Sequence, residues 1–426
     1  MNAKRKKLQE VTPLSEINAH YDPDFRNKMA RDSLSILTHN YFRAEIKGLE
    51  NVPARADGQP PRIFYSNHSG MSFPWDAIVF GCLYLEEKNF DEAWAIRALV
   101  APLLSATRIM NPFLLDNIWK KAGGVDATLP NFHGLMKHGN QDVLIFPEGV
   151  PGIGKGFDRK YEIQKFSTSF IRMAIQYKAD IIPYYTINAE YVHPFAYKND
   201  MLNSLVQRLG IPMLPLSPLT ALVAIFPFLF YFGLPAKLTY VIDKPIQIYK
   251  EFEGRDIKDI KRSELVAVRD RLHRQYQAGI DKNVALYGQD PYQIESFVDS
   301  LIRNYDKLLY LLPSGWPLLF EEEFHAHYEG AYKSKEKSIS EFFQSLPQHL
   351  DALSFMLPII GWPILFLSRG LIESTMYELT HQNVDANRMA SHQKAWFSGG
   401  RYIGPERRRV SIPVAVERRK GRKPTG

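Results

Sequence analysis

The stretch RIFYSNHSGMSFPWDAIVFGCLYLEEK, residues 62–88, decides how the chain is read. Its opening, RIFYSN, is a short apolar run cut off upstream by Pro60-Pro61, the pattern of a buried strand. Its close, residues 76–88, has helical character and begins on Asp76, an acidic residue suited to a helix N-terminus. Between them lies a polar turn that carries His68. If that turn folds back, the Asp76 carboxylate holds the imidazole in one tautomer, and the far nitrogen is left to take a proton from a hydroxyl. On a continuous helix the same separation would put the two residues roughly 12 Å apart.

Outward from this stretch, DVLIF (142–146) reads as a second buried strand that runs at once into a polar, Gly-rich loop. Residues 161–179 have helical spacing. Residues 180–187 form a third strand, interrupted by Pro183, and residues 237–248 a fourth. Residues 263–282 read as a helix closing this unit. Strands alternating with helices predict an α/β fold, a mixed, mostly parallel sheet flanked by helices. In such folds ligands gather at the carboxyl ends of strands, where His68 and the Pro147-Glu148-Gly149 turn both fall.

The later chain has a different character. Residues 290–375 look helical and contain LLYLLPSGWPLLF and FMLPIIGWPILFLS, an added, mainly helical C-terminal region. The expected organisation is a peripheral segment (1–60), a catalytic domain (61–285), a helical membrane-associated extension (286–380) and a disordered basic tail (381–426). Residues 209–236 hold no charge but five prolines, so a surface-dipping hairpin or a hydrophobic wall around a lipid site is expected, with a Pro-kinked span or a buried core segment as alternatives.

The net charge is +7 over 426 residues, and from Arg401 onward nine Lys/Arg stand against two Glu. The excess therefore sits in the tail, and the body is balanced. No basic nucleic-acid-binding surface is implied. The tail suits an anionic membrane surface, and it equally suits a disordered solubilising role. The single cysteine, Cys82, excludes an intramolecular disulfide, reads as a packed helix residue and fits a reducing compartment. Near the N-terminus four basic residues are followed by no apolar run, so neither a secretory signal nor an N-terminal membrane helix is expected.

Two other chemistries are weighed. Gly149-x4-Gly154-Lys155 satisfies most of a phosphate-binding loop, which would make the protein a nucleoside triphosphatase. However, Gly156 replaces the Ser or Thr that holds magnesium, Pro151 removes a cradle amide, and Glu148 adds a carboxylate. The run EEEFHAHYEG (321–330) offers Glu321, Glu322, Glu323, His325 and His327, but i,i+2 ligands do not share a helix face, so a solvated face is expected and no metal. His133 and His138 read as surface residues.

The order NHSG, a later Asp, then FPEG (146–149), then IIP (181–183) resembles the glycerolipid acyltransferase superfamily, the lysophosphatidic acid acyltransferases and their relatives. The resemblance covers roughly residues 60–250. It implies that His68 and Asp76 are the catalytic pair and that Phe146, Pro147, Glu148 and Gly149 help bind the acceptor. Asn67, Ser69 and Gly70, which flank the base, and Pro183, the family's late proline, are expected to bind substrate with them. The family spacing is His-x4-Asp; here it is His-x7-Asp, with Phe73 at the usual Asp position, as in forms nearer the acylglycerol acyltransferases. Where the family carries an Arg for an acceptor phosphate, GGVDAT carries Asp126. Either Lys155, Arg159 or Lys160 substitutes for it, or the acceptor has no phosphate.

The expected activity is transfer of a fatty acyl group to a free hydroxyl of a lysophospholipid or acylglycerol. Acyl-CoA or acyl-carrier protein would be the cosubstrate, with no resident cofactor and membrane lipids as partners, at the cytoplasmic face of the membrane. Backbone amides after His68 or near Gly149 would stabilise the oxyanion. A non-enzymatic lipid-binding protein is the alternative from another class.

Overall fold

The computed structural model describes residues 11–56, 58–70, 73–102, 117–207 and 214–368. The expected basic tail, the N-terminal basic residues and the start of the charge-free stretch lie outside the described residues. Among those described, seven strands form one sheet: β1 (Glu45–Lys47), β2 (Ile63–Tyr65), β3 (Ile96–Val100), β4 (Val125–Asp126), β5 (Asp142–Ile145), β6 (Ile181–Ile187) and β7 (Thr239–Ile242). Their order is β1-β7-β6-β2-β5-β3-β4. Only β6 and β7 run antiparallel; every other neighbouring pair is parallel. The mixed, mostly parallel sheet is therefore as expected.

Strand alternation divides the interior into two cores. Phe64, Leu144, Ile182 and Tyr184 face one side; Ile63, Tyr65, Val143, Ile145, Ile181 and Tyr185 face the other. Both faces are covered, which is why these strands are almost continuously apolar. Helices α1 (Leu129–His138), α2 (Ser169–Tyr177) and α3 (Arg262–Tyr287) cover the second side. The first side is covered by α4 (Trp75–Glu87), whose Phe80 ring stacks on Tyr184 at 4.0 Å.

Two further segments complete that first core, against expectation. The N-terminal segment is not peripheral: it supplies β1 and buries Phe25, Leu37, Tyr41 and Phe42. From the C-terminal region come Tyr310, Leu311, Trp316, Leu319 and Phe355. One helix leaves much of this sheet face bare, and residues from 25–42 and 310–355 close it. Glu321, Glu322 and Glu323 are likewise buried rather than solvated. Glu322 accepts from Tyr310, Ser334 and Lys337, Glu323 from Ser33 and Glu321 pairs with His325, so each carboxylate has a partner. His133 is buried too, its Nδ1 facing the Tyr177 hydroxyl at 3.0 Å, whereas His138 is exposed.

Three local expectations change. The helix read over 161–179 is confined to Ser169–Tyr177, because residues ahead of it give their amides to side chains. Pro183 does not interrupt β6. Its carbonyl accepts from Asp243 N–H, and the antiparallel register shifts by one residue between the Tyr184–Ile242 pair and the Ile181–Ile246 bridge. Pro183 thus sits where a one-residue bulge relieves the ladder of its missing donor. Finally, the charge-free stretch forms a short helix, α5 (Pro218–Val223), and a turn at Pro227–Phe230. Among the described residues no helix is long and apolar enough to cross a membrane.

Candidate active site

β2 lies between β5 and β6 and is parallel to both. The loops that follow these three strands consequently leave the sheet at one edge. They carry His68, then Phe146 to Lys155, then Asn188 and Glu190.

His68 Nδ1 is 2.8 Å from Asp76 Oδ2. Asp76 is buried at the start of α4, and its carboxylate also accepts Ser69 N–H at 2.9 Å and Ala77 N–H at 2.9 Å. A carboxylate only accepts, so Nδ1 carries the proton and Nε2 is the basic nitrogen. Nε2 makes no hydrogen bond among the described residues. Phe146 stacks on the imidazole with ring centroids 4.0 Å apart and fixes its plane. The x7 spacing therefore brings the pair together because strand and helix hold the two ends while the loop folds back.

Glu148 is buried. It accepts His68 N–H at 3.1 Å and the Gln164 amide, clamping the base to the loop that follows β5. Burial pushes its carboxyl above the ordinary value, opposed by Lys155 and by these two amides. Gly152 packs so closely that a Cβ would lie 2.6 Å from the Glu148 Cβ, which explains a glycine there.

Lys155 is also buried, with Nζ 3.1 Å from Glu190 Oε1. The two form an ion pair without an aligned hydrogen bond, and Glu190 Oε2 has no hydrogen-bond partner. Burial lowers the ammonium's proton affinity, but Glu190 and Glu148 outweigh it and raise it. This placement overturns the phosphate-loop reading, since Lys155 is engaged with carboxylates at the site's interior. Glu190 in turn accepts Ser69 Oγ–H at 2.8 Å and Tyr161 N–H at 3.2 Å.

Asn67 is fully buried and behaves as a peptide surrogate beyond the end of β2. Its Nδ2 donates to Thr186 O at 2.9 Å, and its Oδ1 accepts Thr186 N–H at 2.9 Å. Its own N–H donates to the Tyr276 hydroxyl at 2.8 Å, which donates onward to Tyr184 O at 2.6 Å. Asn67 and Ser69, read as substrate-binding, thus spend their polar atoms on the protein and position His68. The amides expected to hold an oxyanion are partly spent as well: Ser69 N–H goes to Asp76 and Gly149 N–H to Phe146 O. Gly70, with φ +105°, turns the chain after the base. Arg159 is half-exposed and paired with Glu162, apart from the buried cluster, and Lys160 lies against Phe157. Asp126 pairs with Lys120 at 3.3 Å. Pro147 lies between the stacking Phe146 and the clamping Glu148, and Pro183 pairs in register with Tyr65, three residues before His68.

Sequence reading missed Glu190, Tyr276 and Gln277, whose amide holds the Tyr161–Ile163 turn from both sides. Glu190 lies just after the third strand, so the rule that ligands gather at strand ends was a signal for it. Nothing in the helix pattern marks Tyr276.

Residues 43–187 match the family described as Acyltransferase. Among curated proteins, the uncharacterized protein Rv0502 of Mycobacterium tuberculosis is 30% identical over 227 residues, which cover 53% of this chain and 58% of that one. The uncharacterized protein ML2427 of Mycobacterium leprae is 29% identical over 227 residues, covering 53% of this chain and 57% of that one. The match thus spans less than two thirds of either relative's length. No solved structure matches. Residues 43–187, which hold the His68–Asp76 pair and the FPEG turn, are thus similar to the acyltransferase family.

Proposed function

We propose that the protein transfers a fatty acyl group from acyl-CoA or acyl-carrier protein to a free hydroxyl of a glycerolipid. The observation that carries this reading is the 2.8 Å His68–Asp76 contact at the edge where three parallel strands end, with Nε2 left basic. His68 Nε2 takes the hydroxyl proton as the oxygen attacks the thioester carbonyl. A carbon–oxygen bond forms, the carbon–sulfur bond breaks, and the imidazolium returns its proton to the leaving thiolate. No acyl-enzyme is needed, because the donor is already activated. Asp76 keeps the ring oriented and stabilises the imidazolium.

The charge balance favours an acceptor without a phosphate, a mono- or diacylglycerol. Lys155 is buried between Glu148 and Glu190, and Asp76 adds a third carboxylate. A phosphate entering there would meet a cation already neutralised. The test is thiol release from acyl-CoA, and release of free carrier protein from its acyl form, across acylglycerols and lysophospholipids. Release with an acylglycerol, lost in a folded His68→Ala variant, is the expected result. No release with any pair of donor and acceptor would overturn the activity; preference for lysophosphatidate would overturn the acceptor class alone.

A further inference from the structure

Two charge-free segments meet on the outside of the molecule. Residues 214–236 and 352–368 contain no Asp, Glu, Lys or Arg. They are tied by Ile359 N–H to Ile225 O at 2.7 Å and by the Trp362 indole N–H to Val223 O at 3.1 Å. Their outer face carries Leu216, Leu222, Ile225, Ile359, Ile360 and Leu367. These are 52%, 44%, 39%, 67%, 56% and 66% exposed. Ile359, at the tip, has φ +60°, a conformation that costs a β-branched residue dearly and that a glycine or asparagine would adopt more easily. Water gains nothing from a strained, exposed isoleucine in segments that hold no charged residue.

We propose that this face is the surface by which the protein docks on an anionic lipid bilayer, lying in the interface without crossing it. Three observations favour a bilayer over a second copy of the chain. First, backbone turns at the face are hydrogen-bonded within it, as entry into a poorly hydrated layer requires. Second, the last helix of the described chain, α6 (Gly361–Ser368), ends on this face, and a further 58 residues follow it. Those residues carry the protein's whole charge excess, nine Lys/Arg against two Glu from Arg401, a complement for anionic headgroups that apolar insertion alone lacks. Third, the inner side of the same segments leads to the base. Phe355 packs on Tyr231 (ring centroids 5.5 Å) and Tyr231 on Phe73 (5.0 Å), and Phe73 lies in the loop between His68 and Asp76.

The test is co-sedimentation of the full chain with vesicles of equal parts phosphatidylcholine and phosphatidylglycerol, for wild type and for Ile359→Asp combined with Leu367→Asp. Near-unchanged thermal unfolding establishes that the variant folds, since both side chains are exposed. Binding weakened by roughly tenfold or more supports the proposal, as two carboxylates entering the interface require. A folded variant that sediments like wild type overturns it. So does binding abolished by high salt but untouched by the substitutions, which assigns it to the tail alone. A wild-type dimer that the substitutions split, with no vesicle binding in either protein, also overturns it and gives the face to a second copy.

Discussion

At the scale of single residues, the imidazole is held from three directions. Asp76 fixes the tautomer, Phe146 the plane of the ring, and Glu148 the backbone beneath it. Asp76→Asn keeps the shape but can turn an N–H toward Nδ1, which inverts the tautomer. We expect kcat to fall by about 10²–10⁴-fold, with far-UV dichroism unchanged and little effect on KM. A variant retaining full kcat would remove Asp76 from the mechanism. A second residue sets the response to acid. His193 is buried, and burial lowers its ring pKa from 6.5 to about 4. Between those values the unfolded chain binds a proton that the folded chain refuses, so stability falls as pH drops from 6.5 towards 4. His133 and His349 are shifted the same way by burial. Melting temperature should therefore decline over this window, and less steeply in His193→Leu; parallel profiles would refute the assignment. At this scale the sequence was most informative. His68, Asp76 and the FPEG turn are visible in one line of text because their chemistry depends on residue type. Glu190 was not, because its role comes from a neighbouring strand.

Secondary-structure elements convert those residues into a site. Strands β5, β2 and β6 set three loops side by side, and α3 locks them from behind through Tyr276 and Gln277. Gly279 of the same helix lets it approach β6, where an added Cβ would lie 2.3 Å from the Tyr185 hydroxyl. Tyr276→Phe removes one hydroxyl that serves both Asn67 N–H and Tyr184 O. The expected cost is about 1–3 kcal/mol in denaturant unfolding, together with a lower kcat as the His68 strand end loosens. Unchanged stability would mean that the helix is not part of the site's support. Here the pattern of apolar residues was a good guide to which elements exist and a poor one to where they stop. Residues 161–168 carry helical spacing, yet the amides of Tyr161, Ile163 and Gln164 are claimed by Glu190, Gln277 and Glu148, and a long-range partner leaves no periodic trace.

For the whole molecule, the consequential fact is that one core is shared by the segments before and after the sheet, around residues 25–42 and 310–355. Trp75, next to Asp76, packs on Trp316 with ring centroids 4.9 Å apart and on Phe42 at 5.3 Å. A boundary at residue 285 looks natural in composition, because the later helices are apolar in blocks rather than in faces. Folding ignores that boundary. A chain ending at residue 285 should lose cooperative thermal unfolding and become sensitive to limited proteolysis, since Trp75, Tyr41 and Phe42 would be uncovered. A truncated chain that melts as sharply as the full one would separate the two parts after all.

On the proposal that the charge-free face docks on a bilayer, this arrangement has a kinetic consequence. An enzyme that works while lying on a lipid layer meets its acceptor in two dimensions. Its rate then follows the mole fraction of acceptor in the layer, and adding inert lipid slows it even when the bulk amount of acceptor is constant. A short-chain acceptor dissolved as monomers would escape that dilution. The same enzyme would thus obey two different concentration laws, and the one in force would depend on which phase holds the hydroxyl.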